Sequence, residues 1–349
     1  FGPHTVAAMV TNVADRWVID ADPNRIELLW RRMYSSGYAL RPDPTLVGVM
    51  SGIEMACWDV VGKDAGKPVY DLLGGRIHER IRTYTYLYPA DGRPDVYTDP
   101  VQAAEQAAFE VGRGFTAVKF DPAGPYTAFD GHQPSLEDID RSVAITGAIR
   151  EAVGSRADLL FGTHGQFTAA GAIRLAQRLE PFDPLWFEEP TQPDQPDEMA
   201  RVARQTSIPV ATGERLTTIT EFAALARHQA AAIWQPNLGR CGGLMAGKKI
   251  AAIAEASGCQ IAPHLYSGPI LGAANVQLAA TLPNLLIIEG IQDLSGFHAE
   301  LLTTPIQWED GYVIPSREPG LGVELNEAVA LANPYPAGGD LHLTMADTP

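Results

Sequence analysis

Residues 184–215, PLWFEEPTQPDQPDEMARVARQTSIPVATGER, contain one full repeat of the pattern that decides the fold. The apolar runs at its two ends, 184–187 and 208–212, predict short buried strands, and the segment between them predicts a helix. Glu188 follows the first strand and Glu214 follows the second. Because strands joined through a helix run parallel, both carboxylates are expected at the same edge of one sheet.

The same alternation of strands and helices extends from about residue 80 to residue 289. The strand candidates are 81–88, 116–120, 158–161, 184–187, 208–212, 231–235, 259–263 and 284–289. The helical segments between them are 98–112, 135–153, 168–180, 197–205, 218–228, 242–257 and 268–281. This order predicts an α/β fold, and its length favours a closed barrel over an open sheet. No GxGxxG motif follows the first strand, which argues against a dinucleotide-binding sheet.

The regions outside this alternation predict a second, smaller part of the fold. Segments 23–36 and 45–64 have apolar residues at helical spacing but show no strand rhythm. We therefore expect residues 1–79 to form an N-terminal capping domain and residues 80–317 to form the barrel. Residues 318–349, punctuated at their start by Pro and Gly, are expected to form a tail that packs back on the cap.

Composition and charge narrow the class of protein. A hydrophobic content of 46% and a net charge of −16 indicate a globular chain that nucleic acids and anionic membranes would repel. We find no stretch that reads as a membrane span or a secretory signal. The chain starts at Phe1 without an initiator Met, so we expect further residues before it. Three cysteines without metal-binding spacing predict buried thiols in a reducing, cytoplasmic setting: Cys57, Cys241 and Cys259.

Polar residues follow nearly every predicted strand. In a barrel of parallel strands, the loops after the strands converge at one face, and chemistry takes place there. The candidates at this face are Lys119, Asp121, Gly162, His164, Glu188, Glu189, Glu214, Arg215, Gln235, Asn237, His264 and Glu289.

The types of these residues predict acid–base chemistry near a cation. Glu188 and Glu214 would repel each other unless a positive charge lay between them, and a divalent cation suits two carboxylates. The alternative is that each pairs with an Arg or Lys at the rim of the barrel. Lys119 and His264, on opposite sides of the barrel, are candidate bases for removing a proton next to a carboxylate.

Six motifs carry a resemblance to a known family: VKFD (118–121), WFEEP (186–190), ATGER (211–215), QPNLGRCGG (235–243), IAPHLYSGPI (261–270) and LLIIEG (285–290). Together they resemble the mandelate racemase and muconate lactonizing subgroup of the enolase superfamily, with the nearest likeness to sugar-acid dehydratases of the galactonate dehydratase type. The resemblance implies a modified (β/α)7β TIM barrel with an α+β capping domain. It also implies one Mg²⁺ ion, a small sugar-acid substrate and assembly into a homo-oligomer.

The resemblance further implies roles for single residues. Glu188 and Glu214 match metal ligands at the ends of strands 4 and 5, and His264 matches a general base or acid. His164 matches an acid that protonates the leaving hydroxyl, and Glu289 matches a carboxylate that contacts the substrate. Asp121, Arg215 and Tyr266 are further candidates for substrate contact.

The sequence departs from the family pattern at two of these positions. Gly162 stands where the first metal ligand is expected, and the substitutes open at this point are His164, Asp121, Glu189, a water or the substrate itself. If the remaining site is of the usual kind, an aspartate introduced at residue 162 is expected to tighten Mg²⁺ binding. Asn237 stands where an aspartate would orient His264 and raise its basicity, which moves the expected base toward Lys119.

Three functions remain open from the sequence. The favoured one is a lyase that removes the α-proton of a sugar acid and then expels the β-hydroxyl. The second keeps the same enolate chemistry but ends in isomerisation, epimerisation or cycloisomerisation. The third is a metal-free binding or regulatory protein, which Gly162 and Asn237 would suit.

Overall fold

A computed structural model describes residues 3–36, 43–121, 123 and 131–335 of the chain. Its N-terminal part is built from helices: α1 (Pro3–Val13), continued by a π-helical turn (Ala14–Val18), α2 (Ile26–Ser36), α3 (Pro44–Asp64) and α4 (Val69–Leu72). Asp43 caps α3 by accepting hydrogen bonds from the backbone N–H groups of Thr45 and Leu46. Among the described residues up to 79, the regular elements are all helices, so the strands of an α+β cap do not occur there.

The barrel follows the predicted order of strands and helices. Its elements are β1 (Ile81–Tyr86), α5 (Pro100–Gly112), β2 (Ala117–Phe120), α6 (Leu136–Val153), β3 (Asp158–Gly162), α7 (Ala169–Leu179), β4 (Trp186–Glu188), α8 (Pro196–Ala203), β5 (Val210–Thr212), α9 (Ile219–His228), β6 (Ile233–Trp234), α10 (Leu244–Ala256), β7 (Gln260–Ile261), α11 (Pro269–Ala279) and β8 (Ile288–Gly290). Three-residue 3₁₀ turns follow α6 and α7 (Gly154–Arg156 and Glu180–Phe182). The prediction of eight strands alternating with helices is confirmed.

The sheet closes on itself. Strands β1 to β7 pair in parallel with their neighbours in chain order, and β8 pairs in parallel with β1. An isolated parallel bridge between Ile261 and Leu285 joins the last edge. After a short helix α12 (Phe297–Glu300), the hairpin of β9 (Trp308–Glu309) and β10 (Tyr312–Val313) runs antiparallel to β1. The closed sheet confirms a barrel rather than an open, doubly wound sheet.

One layer of side chains fills the centre of the barrel, with one residue from each strand or its immediate extension. The residues of this layer are Tyr84, Ala117, Leu160, Trp186, Ala211, Ile233, Ala262 and Ile287. Since side chains alternate along a strand, the residue two positions later points inward again, nearer the carboxyl end. For most strands that residue is a polar group of the candidate site: Lys119, Glu188, Gln235, His264 and Glu289.

The fifth strand departs from this spacing. Its inward position after Ala211 is Gly213, which has a φ of 139°. A Cβ there would lie 2.9 Å from the backbone nitrogen of Gln235, so no side chain fits. The carboxylate therefore comes from the next residue, Glu214.

A buried carboxylate joins the cap to the barrel. Glu54 of α3 accepts hydrogen bonds from the N–H groups of Leu244 (2.7 Å) and Met245 (2.9 Å), which begin α10. The Trp58 indole also donates to Glu54, at 2.8 Å. Gly243, with a φ of 90°, precedes the helix, and a Cβ there would lie 1.9 Å from Glu54 Oε2. The Glu54 carboxyl at the first turn of α10 thus anchors the cap, because the N–H groups that begin a helix have no acceptor within the helix.

The chain after the barrel returns to the N-terminal helices. Leu321 donates its backbone N–H to Asp59 at 2.8 Å, and Gly320 exchanges backbone hydrogen bonds with Lys67 and Val69. A last described helix, α13, covers Glu327–Ala332. The expected domain boundaries at residues 79 and 317 stay predictions.

Helix α3 corrects one expectation from the sequence. It is long and apolar enough to cross a membrane by length and composition, and half of its most apolar window is buried inside the protein. Such burial is typical of a core helix, and Glu54 on the same helix makes the contact with the barrel described above. The cysteines are all free: Cys57 and Cys241 are buried as expected, whereas Cys259 is partly exposed.

Glu54 predicts how stability depends on pH. Burial raises the pKa of its carboxyl from 4.5 to about 7, and the hydrogen bonds it accepts offset this only in part. Between these two values the folded protein retains a proton that the unfolded chain releases. The free energy of unfolding should therefore fall by about 3 kcal/mol as pH rises from about 4.5 to about 7.

Replacing Glu54 by glutamine should remove this part of the pH dependence, because the amide does not ionise. Denaturant unfolding at several pH values would measure how the free energy of unfolding changes with pH. This slope is the informative quantity, because the glutamine also lowers the free energy of unfolding at every pH. Glu105→Gln, at an exposed position of α5, is the matched control and should keep the wild-type slope. Equal slopes for Glu54→Gln and wild type would contradict the assignment.

Candidate active site

A buried ion pair lies at the centre of the carboxyl face of the barrel. The ammonium of Lys119, at the end of β2, donates to Glu188 Oε1 at 2.5 Å and lies 3.8 Å from Glu289 Oε1. The amide of Gln235 donates to Glu188 Oε2 at 2.7 Å. Burial alone would disfavour the charged ammonium, but Glu188 and Glu289 outweigh it and raise the pKa of Lys119 well above its ordinary value. Lys119 is therefore cationic in this arrangement.

A second group of contacts surrounds His264. Its Nε2 lies 3.3 Å from Glu214 Oε2 and 3.7 Å from Glu289 Oε2. Glu289 Oε2 also accepts a 2.7 Å hydrogen bond from the backbone of Leu265. Burial tends to raise the pKa of the Glu214 carboxyl, but electrostatic interactions with the neighbouring His264, His164 and Lys119 side chains lower it to about 2. Glu214 is thus ionised at neutral pH.

The contact between Asn237 and His264 fixes the tautomer of the imidazole. The Oδ1 atom of Asn237 accepts a hydrogen bond from the backbone N–H of Gly239 at 2.8 Å. This bond orients the amide so that Nδ2, a donor only, faces His264 Nδ1 at 2.8 Å. Nδ1 must then be the acceptor, and the proton of the neutral imidazole lies on Nε2. His264 therefore presents a donor to the site, whereas an aspartate at 237 would leave Nε2 free to accept a proton.

His164 lies in the loop after β3 and is paired with Asp121. Its Nδ1 is 2.9 Å from Asp121 Oδ2. Burial lowers the pKa of the imidazole, but the Asp121 carboxylate more than compensates and raises it to about 9. His164 has a φ of 50°, a left-handed conformation that non-glycine residues seldom adopt. The imidazole is thus held protonated near neutral pH on a constrained backbone.

Arg215 and Glu189 hold the His164 loop in place. The guanidinium donates to Glu189 Oε2 at 2.9 Å and to the His164 carbonyl at 2.9 Å. It also contacts the side chain of Gln192 at 3.3 Å. Arg215 was expected to contact substrate, but these bonds engage it with the protein itself. Glu189, the second glutamate of the WFEEP motif, is likewise bound by the Arg215 guanidinium.

The space beside Gly162, where the family pattern predicts a metal ligand, contains a side chain from the neighbouring strand. Gly162 pairs with Glu188 in the sheet, so a side chain at 162 would point to the same level of the site. A Cβ built there would lie 2.1 Å from Asp121 Oδ1 and 3.1 Å from Asp121 Cγ. The carboxylate of Asp121 therefore occupies the space that an aspartate at 162 would use.

The donor set suits a hard cation such as Mg²⁺. The residues able to hold one are Glu188, Glu214 and Asp121, whose oxygens are the ligands that Mg²⁺ prefers. Glu214 Oε2 and both oxygens of Asp121 are buried without a well-directed hydrogen bond. Within the described residues, no three Asp, Glu, His or Cys side chains already surround one point, because Lys119 and Gln235 hold Glu188. Mg²⁺ usually retains several waters, which can bridge such a set.

Three tyrosines beside the site, Tyr86, Tyr88 and Tyr97, were not among the predicted residues. The ring of Tyr86 lies 5.7 Å from that of Tyr88 and 6.2 Å from that of Tyr97, and Lys119 Nζ is 5.6 Å from the Tyr86 centroid. Tyr266, expected to bind substrate, is 51% exposed and lies near enough to influence Tyr88 and Tyr97 electrostatically. In the sequence, the alternating tyrosines of TYTYLY (83–88) indicate Tyr86 and Tyr88, whereas Tyr97 lies outside this motif.

The family models match most of the chain. Residues 102–329 match the enolase C-terminal domain-like model, and residues 2–74 match the N-terminal domain of mandelate racemase and muconate lactonizing enzymes. A D-galactonate dehydratase from Ralstonia nicotianae is 36% identical over 335 residues, which cover 94% of this chain and 84% of that protein. A D-gluconate dehydratase from Thermoproteus tenax is 32% identical over 315 residues, covering 90% of this chain and 62% of that protein.

Solved structures agree with these matches. A crystal structure from Labrenzia alexandrii, assigned to the mandelate racemase/muconate lactonizing enzymes, superposes with a TM-score of 0.96 at 62% identity. The superposition covers 99% of this chain and 89% of the other. The resemblance and the capped barrel that the motifs predicted are both confirmed. This chain therefore belongs to the mandelate racemase/muconate lactonizing enzyme family of the enolase superfamily.

Proposed function

We propose that this protein is a sugar-acid dehydratase, which removes the α-proton of a small hydroxy acid and expels its β-hydroxyl as water. The observation that carries the proposal is the His164–Asp121 pair, a half-buried imidazole held protonated at the same face as Lys119 and Glu214. Loss of a hydroxyl needs an acid placed at the leaving oxygen, in addition to the base that removes the α-proton, whereas isomerisation of the same intermediate needs an acid placed at carbon. The relatives named galactonate and gluconate dehydratase support the same reaction class.

The cationic side chains provide the binding site for the substrate carboxylate. The protein carries a net charge of −16, yet Lys119, His164 and His264 bring positive or donor groups to the floor of the site. When bound, Mg²⁺ would stabilise the negative charge that develops on the substrate carboxylate as the α-proton leaves. Glu188, Glu214 and Asp121 are the residues proposed to hold it.

Lys119 is the proposed base. Its ammonium is stabilised by Glu188, so Lys119 would have to release one proton to solvent before its neutral amine could act as a base. A cation held by Glu188 would favour that release. The α-proton then moves to Lys119 Nζ, and His264, with its proton on Nε2, donates a hydrogen bond to the developing oxyanion. His164 gives its proton to the β-hydroxyl as the C–O bond breaks. Water leaves, and the enol product becomes a 2-keto-3-deoxy acid.

A substrate screen tests the reaction class. Incubation of the purified protein and Mg²⁺ with a library of aldonates and aldarates should yield a keto acid from at least one member, detected as its semicarbazone. Mass spectrometry should show the loss of one water. A product of unchanged mass with deuterium at the α-carbon would indicate an isomerase instead, and no conversion by a Mg²⁺-loaded protein would contradict the proposal.

The role of His164 as the acid predicts a selective defect. His164→Asn should lower the rate of dehydration by about a hundredfold or more, since a positioned general acid contributes about that much. Exchange of the α-proton with deuterated solvent should persist, because that step uses Lys119. His228→Asn, at an exposed position outside the site, serves as the control. Equal loss of exchange and dehydration would show that His164 does not act on the leaving group.

Asn237→Asp should switch the tautomer of His264. A carboxylate at 237 can accept from Gly239 N–H with one oxygen and from His264 Nδ1–H with the other, which frees Nε2. Long-range ¹H–¹⁵N NMR correlations report which nitrogen carries the proton. We expect the proton on Nε2 in the wild type and on Nδ1 in the variant. An Nδ1 proton in the wild type would overturn the role given to Asn237.

A further inference from the structure

Asp121 and Gly162 occupy one coupled position on two adjacent strands. Strands β2 and β3 pair in parallel, with Phe120 opposite Phe161, so the next residues are Asp121 and Gly162. Gly162 in turn pairs with Glu188 of β4. Asp121, Gly162 and Glu188 therefore lie side by side at the carboxyl ends of β2, β3 and β4.

The Asp121 carboxylate is directed toward the space above Gly162. Oδ1 lies 2.1 Å from where a Cβ of residue 162 would be, whereas Oδ2 lies 2.9 Å from His164 Nδ1. The residue is only 7% exposed, and neither oxygen has a well-directed hydrogen bond. A buried carboxylate of this kind is costly unless it is paired, and Oδ1 has no cation beside it among the described residues.

The other candidates for a third ligand are engaged elsewhere. Glu189 is bound by the guanidinium of Arg215, from Nε at 2.9 Å and from its terminal nitrogen at 2.7 Å. His164 directs Nδ1 at Asp121, and Glu289 accepts from Leu265 N–H. Of these side chains, Asp121 therefore retains an oxygen, Oδ1, without a hydrogen-bond partner among the described residues, at the sheet level of Glu188.

We infer that Asp121, on the second strand, supplies the third carboxylate of a divalent-cation site in place of a residue at the end of the third strand. The inference rests on the cation of the proposed function, but it concerns which residue binds that cation. Asp121 would then serve two partners, with Oδ1 facing the cation and Oδ2 facing His164. The same steric contact revises the expectation for residue 162: an aspartate there meets the Asp121 carboxylate and adds a ligand only if that carboxylate moves aside.

Cation binding by the full chain, without substrate, tests the inference. Isothermal titration with Mg²⁺ and electron paramagnetic resonance of Mn²⁺ would be applied to wild type, Asp121→Asn, Gly162→Asp and the double variant Asp121→Ala/Gly162→Asp. We expect Asp121→Asn to weaken binding about tenfold or more and Gly162→Asp alone to give no gain in affinity. The double variant returns the carboxylate to the third strand and should recover affinity to within a few fold of wild type.

Two measurements keep the outcomes distinct. Thermal unfolding of each variant checks that it is folded, and Asp140→Asn, on the exposed side of α6, is a matched control that should bind as wild type does. Wild-type affinity in folded Asp121→Asn would overturn the role of Asp121 while leaving the proposed function standing. Absence of Mg²⁺ and Mn²⁺ binding by the wild type would overturn both.

Discussion

The buried pair of Lys119 and Glu188 constrains the whole carboxyl face of the barrel. Each side chain is only 2% exposed, and a charge taken out of water in this way must be matched by others. Gln235 and Glu289 complete the set, and beside it His264 Nε2 lies 3.3 Å from Glu214 Oε2. Removing one partner of a buried ion pair leaves an uncompensated charge, which lowers stability more than replacing both partners by apolar residues. The charged residues at these strand ends therefore depend on one another.

Much of this arrangement could be predicted from the sequence, because strand periodicity and barrel topology are local properties. The eight strands and the polar residues after them followed from apolar runs and their spacing. What could not be predicted are contacts between loops far apart in sequence. The sequence around Arg215 suggests a substrate contact, because its bonds to Glu189 and His164 join loops that follow different strands. In the same way, nothing in the sequence near Asp121 indicates that its carboxylate lies over Gly162.

The glycine-rich motif before α10 illustrates the same limit at the level of domains. In sequence, GRCGG is only a marker of the family. In the structure, Gly243 leaves room for the Glu54 carboxylate, and Gly242 accepts from the Trp30 indole at 3.1 Å. The cap is therefore attached to the element that follows β6, whose loop contains Asn237. Asn237 and the glycines that contact the cap thus belong to the same connection between β6 and α10.

The contact between Asp121 and Gly162 also restricts how this site can change through evolution. A chain with carboxylates at both positions is crowded, since a side chain at residue 162 requires the Asp121 carboxylate to move. A chain with neither carboxylate has one fewer acidic group at the mouth of the barrel. To move the carboxylate from residue 121 to residue 162 by single substitutions, the chain must pass through one of these two less favourable forms. The two positions are therefore epistatic, and exchange between them is expected to proceed by paired substitution rather than by gradual drift.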